Sequence, residues 1–241
     1  MNTVLNRHVS IVDLGLTDYQ QAWDYQTGLF NNTLAVKKEN RDRPESAQHA
    51  TKNYFVFCEH PHVFTLGKSG DEKNLLVKKE DLASLQASYY PINRGGDITY
   101  HGPGQLVVYP VIDLENFFTD IHQYMRSLEE AVIQTLRSFS IDGGRIAGLT
   151  GVWLDIDKKE KARKICAFGV KTSRWVTMHG LALNVNTDLH YFDYIVPCGI
   201  ADKAVTSMKK ELGSTQDMEL VKHIMKKSLI SCFGMSLQEA I

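Results

Sequence analysis

Residues 94–110 read RGGDITYHGPGQLVVYP, and the chain is organised outward from this stretch. Arg94 and the pair Gly95-Gly96 lead through Asp97, Ile98, Thr99, Tyr100 and His101 to a Gly102-Pro103-Gly104 turn. Leu106-Val107-Val108-Tyr109 then supplies the β-branched and aromatic character of a buried strand. Glycine has no Cβ, so such a pair admits positive φ and a close approach of backbone to a ligand. A stiff turn feeding a strand would hold the arginine, the hydroxyls and the imidazole in one place, as a substrate site built on a scaffold requires. The plainer alternative is a polar hairpin connection.

Toward the N-terminus, residues 9–14 alternate as a half-buried strand does. Ala22, Tyr25, Leu29 and Phe30 recur near helical spacing and predict an amphipathic helix over 18–38. Residues 37–52, KKENRDRPESAQHATK, are nearly all polar and include Pro44, which reads as a solvated loop or insertion. Residues 54–58, YFVFC, form a compact apolar run and predict a buried strand, with 63–68 continuing after Glu59-His60-Pro61-His62. Cys58, His60 and His62 have ligand-like spacing. Pro61 interrupts them, however, and no second cluster follows at a zinc-like distance, so no metal is expected. Residues 80–86 read as a short helix.

Toward the C-terminus, Ile121, Tyr124, Met125, Leu128, Val132 and Leu136 share one face and predict a helix over 120–139, ended by Gly143-Gly144. Strands are expected over 151–155, 164–171 and 181–185, with the charged run 158–164 as a hairpin turn. A last helix is expected to start near Ser214, with Asp217 in an imperfect capping box. Met218, Val221, Ile224, Met225 and Leu229 would form its buried stripe, and Gly234 its stop. This order predicts one α/β domain of the α+β type, a mixed, largely antiparallel sheet with packed helices. Neither GxGxxG nor GxxxxGK[ST] occurs, so no nucleotide cradle and no cofactor is expected.

The 241 residues are 43% hydrophobic, enough for a sizeable core, and their net charge is −1. Interspersed charges offer no global attraction for nucleic acid or membrane. The start carries Asn6, Arg7 and His8 where a signal peptide needs its apolar centre, so the expected compartment is the cytoplasm. Cys58, Cys166, Cys198 and Cys232 are widely spaced and are expected to be reduced thiols, each core filling or a candidate nucleophile. Pro197-Cys198-Gly199 presents a thiol in a loop, whereas Cys58 and Cys232 read as structural. Cys166 should share a strand face with Lys164 and is a rival on geometry, though an interior strand position argues against exposure. Lys164 enters a strand with apolar neighbours, and His179 precedes another; each also has a plain structural reading.

RGGDITYHGPGQ from Arg94, RKICAFG around Lys164, HGLALNV from His179 and PCG at Cys198 occur in this order. Together they resemble the lipoyl(octanoyl) transferases, related in fold to the biotin and lipoate protein ligases. EHPHVFTLGKSG from Glu59, LTGVWLD from Leu149 and KAVTSM from Lys203 strengthen the likeness, which spans roughly 54–210. His62 stands where that family often has proline, and 37–52 looks like an insertion. The resemblance implies that Cys198 accepts an octanoyl group from octanoyl-acyl carrier protein and that a lysine on a lipoyl domain takes it. The acceptors would be lipoyl domains of 2-oxoacid dehydrogenases and glycine-cleavage H protein. Lys164 would lower the thiol pKa, while Arg94 through His101, Ala167, Phe168, Gly169, His179, Gly180, Leu181 and Ala182 would contact the acyl substrate. An ATP-dependent ligase would need no such thiol, and a silent docking module would need neither Cys198 nor Lys164.

Overall fold

The computed structural model describes residues 5–158, 160–196 and 204–238. β1 (His8–Leu16) and β2 (Asn53–Glu59) are parallel neighbours, and α1 (Tyr19–Arg41) makes the crossover that a parallel pair requires. Asp18 caps α1 by accepting from the Gln20 amide at 2.8 Å. β3 (Val63–Leu66), β4 (Ser88–Pro91) and β5 (Ile98–His101) form a separate three-stranded sheet in the order β4-β3-β5. After it come β6 (Gln105–Val111), α2 (Ile121–Arg137), β7 (Gly144–Ile146), β8 (Leu149–Leu154), β9 (Arg163–Ser173) and β10 (Val176–Asn184). β11 (Ala204–Val205), α3 (Met208–Leu212), α4 (Met218–Phe233) and β12 (Ser236–Leu237) complete the described chain. The large sheet runs β12-β1-β2-β6-β10-β9-β8-β7, with β11 on β9. It is parallel at β12-β1-β2 and at β11-β9, and antiparallel elsewhere. The mixed, largely antiparallel sheet with packed helices is therefore present, accompanied by a second small sheet.

Strand alternation sorts the core. Phe55, Phe57, Leu106 and Val108 face α2 and α4 in the main cluster, with Tyr124, Leu128, Leu136, Val221, Met225 and Leu229. Val56, Cys58, Val107 and Tyr109 take the opposite face, where Ala22 of α1 packs. Both layers are wholly or nearly wholly buried, so the central strands have no water-facing side.

Several local expectations are corrected. Residues 37–41 finish α1 rather than opening a loop. Lys37 is only 8% exposed, because its ammonium meets Asp113 at 2.5 Å and Glu115 at 3.1 Å. Thr51, at the far end of the supposed solvated stretch, is buried and donates to Asp113 at 3.0 Å. Tyr25 is exposed; the buried stripe of α1 is Tyr19, Ala22, Gln26, Phe30, Thr33, Lys37 and Asn40. Residues 80–86 make no α-helix but a 3-10 turn, Lys79–Asp81, followed by further turns. α2 stops before Gly143-Gly144, since Ser140 itself takes the left-handed conformation at φ 58°. Asp217 is the N-cap of α4, accepting from the Glu219 amide, so that helix begins at Met218 rather than near Ser214. Gly234 ends α4 at φ 59° as its position suggests.

Candidate active site

A cavity of about 530 Å³ is bounded by both sheets, and residues 94–99 with His101 form one wall of it. Gly95 donates to the Val170 carbonyl at 3.0 Å, which ties this segment to β9. Arg94 lies across Gly169, where a Cβ would stand 2.8 Å from the Arg94 Cδ; only glycine admits that approach. The guanidinium is held by the Thr65 carbonyl at 2.8 Å, the Thr65 hydroxyl at 2.9 Å and the Gly95 carbonyl at 3.0 Å. β9 and β10 supply a second wall, with Ala167 opposite Ala182, Phe168 opposite Leu181 and Gly169 opposite Gly180. The Ala167–Ala182 and Gly169–Gly180 pairs leave the space that larger side chains would fill.

Two imidazoles line the cavity as neutral bases. Gln105 donates its amide to the Tyr100 carbonyl and to Asn184, so its oxygen faces His101 Nδ1 at 2.7 Å. His101 therefore carries its proton on Nδ1 and keeps Nε2 as an acceptor. Burial, then the neighbouring His60 and Arg94, lower its pKa to about 3. His179 is lowered to about 3 by burial first, then by Arg94 and Lys171. It sits at φ 60° within β10, fixed by the Gln26 side chain accepting from its backbone amide at 2.8 Å. Its Nε2 is 3.3 Å from Asn93 Oδ1. The lining also carries the basic side chains Arg94 and Lys164, and the Lys164 ammonium lies 4.6 Å from the centre of the Trp153 ring.

Lys164, Arg94, Gly95, Gly96, Asp97, Ile98, Thr99, His101, Ala167, Phe168, Gly169, His179, Gly180, Leu181 and Ala182 are thus brought to one cavity. Tyr100 is a correction. Strand alternation turns it out of the cavity into the small sheet's core, where it is fully buried and its hydroxyl meets His62 Nδ1 at 2.7 Å. Cys166 does not line the cavity beside Lys164. It is wholly buried in the main core, and that burial pushes its thiol well up despite the nearby Lys164. Cys58 is likewise fully buried with its thiol raised by burial. Cys58 and His60 meet, with Sγ 3.5 Å from Nε2, but His60 is also engaged by Thr17 and Tyr109. His62 turns away to stack on Tyr191 at 4.0 Å, so the three do not share one point. Cys198 lies outside the described residues.

Tyr19, Ser69, Val107, Tyr109, Met125, Gly148, Leu149, Thr150, Trp153 and Val170 also line the cavity, and the sequence reading assigns none of them a part in the site. LTGVWLD carried a signal for Leu149, Thr150 and Trp153. Met125 carries none, because on its helix it reads as an ordinary core position, and Tyr19 belongs to no motif that the sequence displays.

The lipoyl protein ligase A/B catalytic domain family matches residues 18–230. An octanoyltransferase of Cytophaga hutchinsonii is 60% identical over 238 residues, covering 99% of this chain and 98% of that protein. An octanoyltransferase of Bacteroides fragilis is 51% identical over 219 residues, covering 91% and 95%. Among solved structures, a bi-partite lipoate protein ligase from Thermoplasma acidophilum matches with a TM-score of 0.66 at 16% identity, covering 98% of this chain and 87% of that one. This last likeness is one of fold.

Proposed function

The chain belongs to the lipoyl protein ligase A/B catalytic family, among its octanoyltransferases, and from that premise we propose an acyl transfer in two half-reactions. In the first, the Cys198 thiolate attacks the carbonyl carbon of octanoyl-acyl carrier protein. A new C–S bond forms, the donor's C–S bond breaks, and the carrier leaves as a thiolate that takes up the proton Cys198 released. In the second, the amine of a lysine on a lipoyl domain or on glycine-cleavage H protein attacks the enzyme thioester. The C–N bond forms, the C–S bond to Cys198 breaks, and the amine proton passes to the sulfur with Lys164 as carrier. Exchange of one thioester for another is nearly even, and amide formation draws the sequence forward, so neither step consumes ATP.

The observation that supports this reading is the sharing of one cavity by Lys164, Arg94 and the small-residue pairs of β9 and β10. Lys164 to Gly169 spans five strand steps, roughly 16 Å, room for an extended octanoyl chain along β9. Val205 pairs with Lys164 and Ala204 with Arg163, so the chain beyond Cys198 returns beside the lysine. A cation there favours a thiolate, and the Arg94 guanidinium in the same lining favours a developing oxyanion.

Intact-mass measurement after incubation with octanoyl-acyl carrier protein, without ATP or acceptor, tests the proposal. One octanoyl adduct is expected on the wild type and on Cys166→Ser, and none on Cys198→Ser. Loading that required free octanoate and ATP would instead identify a ligase. Loss of the adduct from a folded Cys166→Ser protein would move the nucleophile to Cys166.

A further inference from the structure

Behind the cavity, α2 carries a carboxylate that the proposed reaction does not use. Glu129 is fully buried. One of its oxygens accepts the Gly151 amide at 3.2 Å; the other accepts Arg126 at 2.6 Å and Arg145 Nε at 3.1 Å. Arg145 in turn grips the Glu130 carboxylate at 2.8 Å and the Arg126 carbonyl at 3.0 Å, which binds β7 to α2. Burying a carboxylate is costly unless it is paired and hydrogen-bonded, and here the pairing ends on one backbone amide of β8.

Gly151 stands at φ 137°, where a side chain is strained. A Cβ on it would lie 3.1 Å from Lys164 Cε, 3.1 Å from Trp153 Nε1 and 3.1 Å from the Cys166 carbonyl. Its backbone is therefore the floor against which the Lys164 stem rests. Trp153, two residues on, is the ring under the ammonium. Between them the β8–β9 register shifts, so the ladder alone does not determine where this floor sits. The residues just before it, Leu149 and Thr150, form cavity wall.

We propose that Glu129 is a positioning residue: by holding the Gly151 amide it sets the seat formed by Gly151 and Trp153, and so the place of the Lys164 ammonium in the cavity. The inference rests on the reading of Lys164 as the active cation. It requires an acceptor at residue 129 that reaches Gly151, more than it requires a negative charge there.

The test is competitive amine labelling of Lys164 across pH, read by peptide mapping, alongside the pH profile of octanoyl transfer and a melting curve. Glu129→Leu removes the acceptor, and its two arginine partners are partly exposed and can turn to solvent. Glu129→Gln keeps an acceptor oxygen in reach. Labelling of Lys164 below its titration midpoint is expected to rise about threefold to tenfold in Glu129→Leu, the scale of a lost cation–π seat. Its midpoint should move, and Glu129→Gln should restore most of the wild-type profile. Glu129→Asp, one carbon short of Gly151, carries the same test if Glu129→Leu does not fold. A variant that melts earlier but keeps the wild-type Lys164 profile would overturn the proposal, since a purely structural role predicts that result. A shifted Lys164 profile with unchanged transfer would support the seat and count against the part given to Lys164 in the reaction.

Discussion

At Lys164 the ammonium faces the Trp153 ring at 4.6 Å, and its stem rests on Gly151. An aromatic face steadies a cation without neutralising it, so the charge stays available to a neighbouring thiol. If Cys198 is that neighbour, removing the charge should return the thiol toward the free value of about 8.5. Lys164→Ala should therefore lose acylation at neutral pH and recover part of it as pH rises. Lys164→Arg keeps the charge but no longer gives up a proton, so it should preserve the thiolate better than it preserves turnover. Alkylation rates of Cys198 by a small electrophile across pH measure this directly. Equal midpoints in the wild type and both variants would move the role of Lys164 to the acceptor half-reaction. The sequence displayed Lys164 through its strand and motif. It did not display the seat, because Gly151 and Trp153 reach Lys164 across β8–β9, and the Gly151 amide reaches Glu129 across the layer.

The β9–β10 hairpin shows an element carrying local strain. Ser173 pairs with Val176, so the loop is the two residues Arg174 and Trp175, at φ 49° and 65°. Two positive φ values in a two-residue loop define the turn type that normally takes Asn and Gly. Side chains there oppose the following carbonyl, at about 1 kcal/mol or more per residue. Arg174 is exposed, so Arg174→Asn should relieve part of this without loss of packing and stabilise the protein by about 0.5–1 kcal/mol. The measurement is a urea unfolding midpoint; it should rise at unchanged slope. A midpoint at or below the wild type would mean that the arginine makes a compensating contact. Elements with continuous apolar runs, such as β2 and β6, were plain in the sequence, because burial on both faces forces that composition. The five-residue α3 was not, being too short for a helical period to show. The true stripe of α1 is hidden because four of its seven buried residues, Gln26, Thr33, Lys37 and Asn40, are polar and buried with hydrogen-bonding partners.

Across the whole molecule, composition and element order were enough for a mixed sheet with helices on it, but not for its division into two sheets. β3 and β4 have four residues each, and their parallel pairing depends on tertiary placement that no local pattern encodes. The same division makes the cavity, by bringing the Arg94 segment beside the small sheet against β9 of the large one. One consequence is a pH dependence of global stability. His101 and His179 are held neutral in the fold with pKa values near about 3, while in the unfolded chain imidazoles titrate near about 6.5. A folded pKa below the unfolded one means that the unfolded chain binds the extra proton in this window. The stabilisation these residues give is thus complete above about pH 6.5 and is lost as pH falls toward about 3. Each such histidine contributes a slope of up to about 1.4 kcal/mol per pH unit. His60, also lowered by burial, acts in the same direction. Urea unfolding from neutral pH down to about pH 5 keeps most carboxylates ionised and isolates the imidazoles. His179→Asn suits the left-handed backbone at 179 and carries no titrating group, so its slope should be shallower than the wild type by close to one proton. Identical slopes would mean that His179 is protonated in the folded protein, and the cavity would then hold a third positive charge beside Arg94 and Lys164.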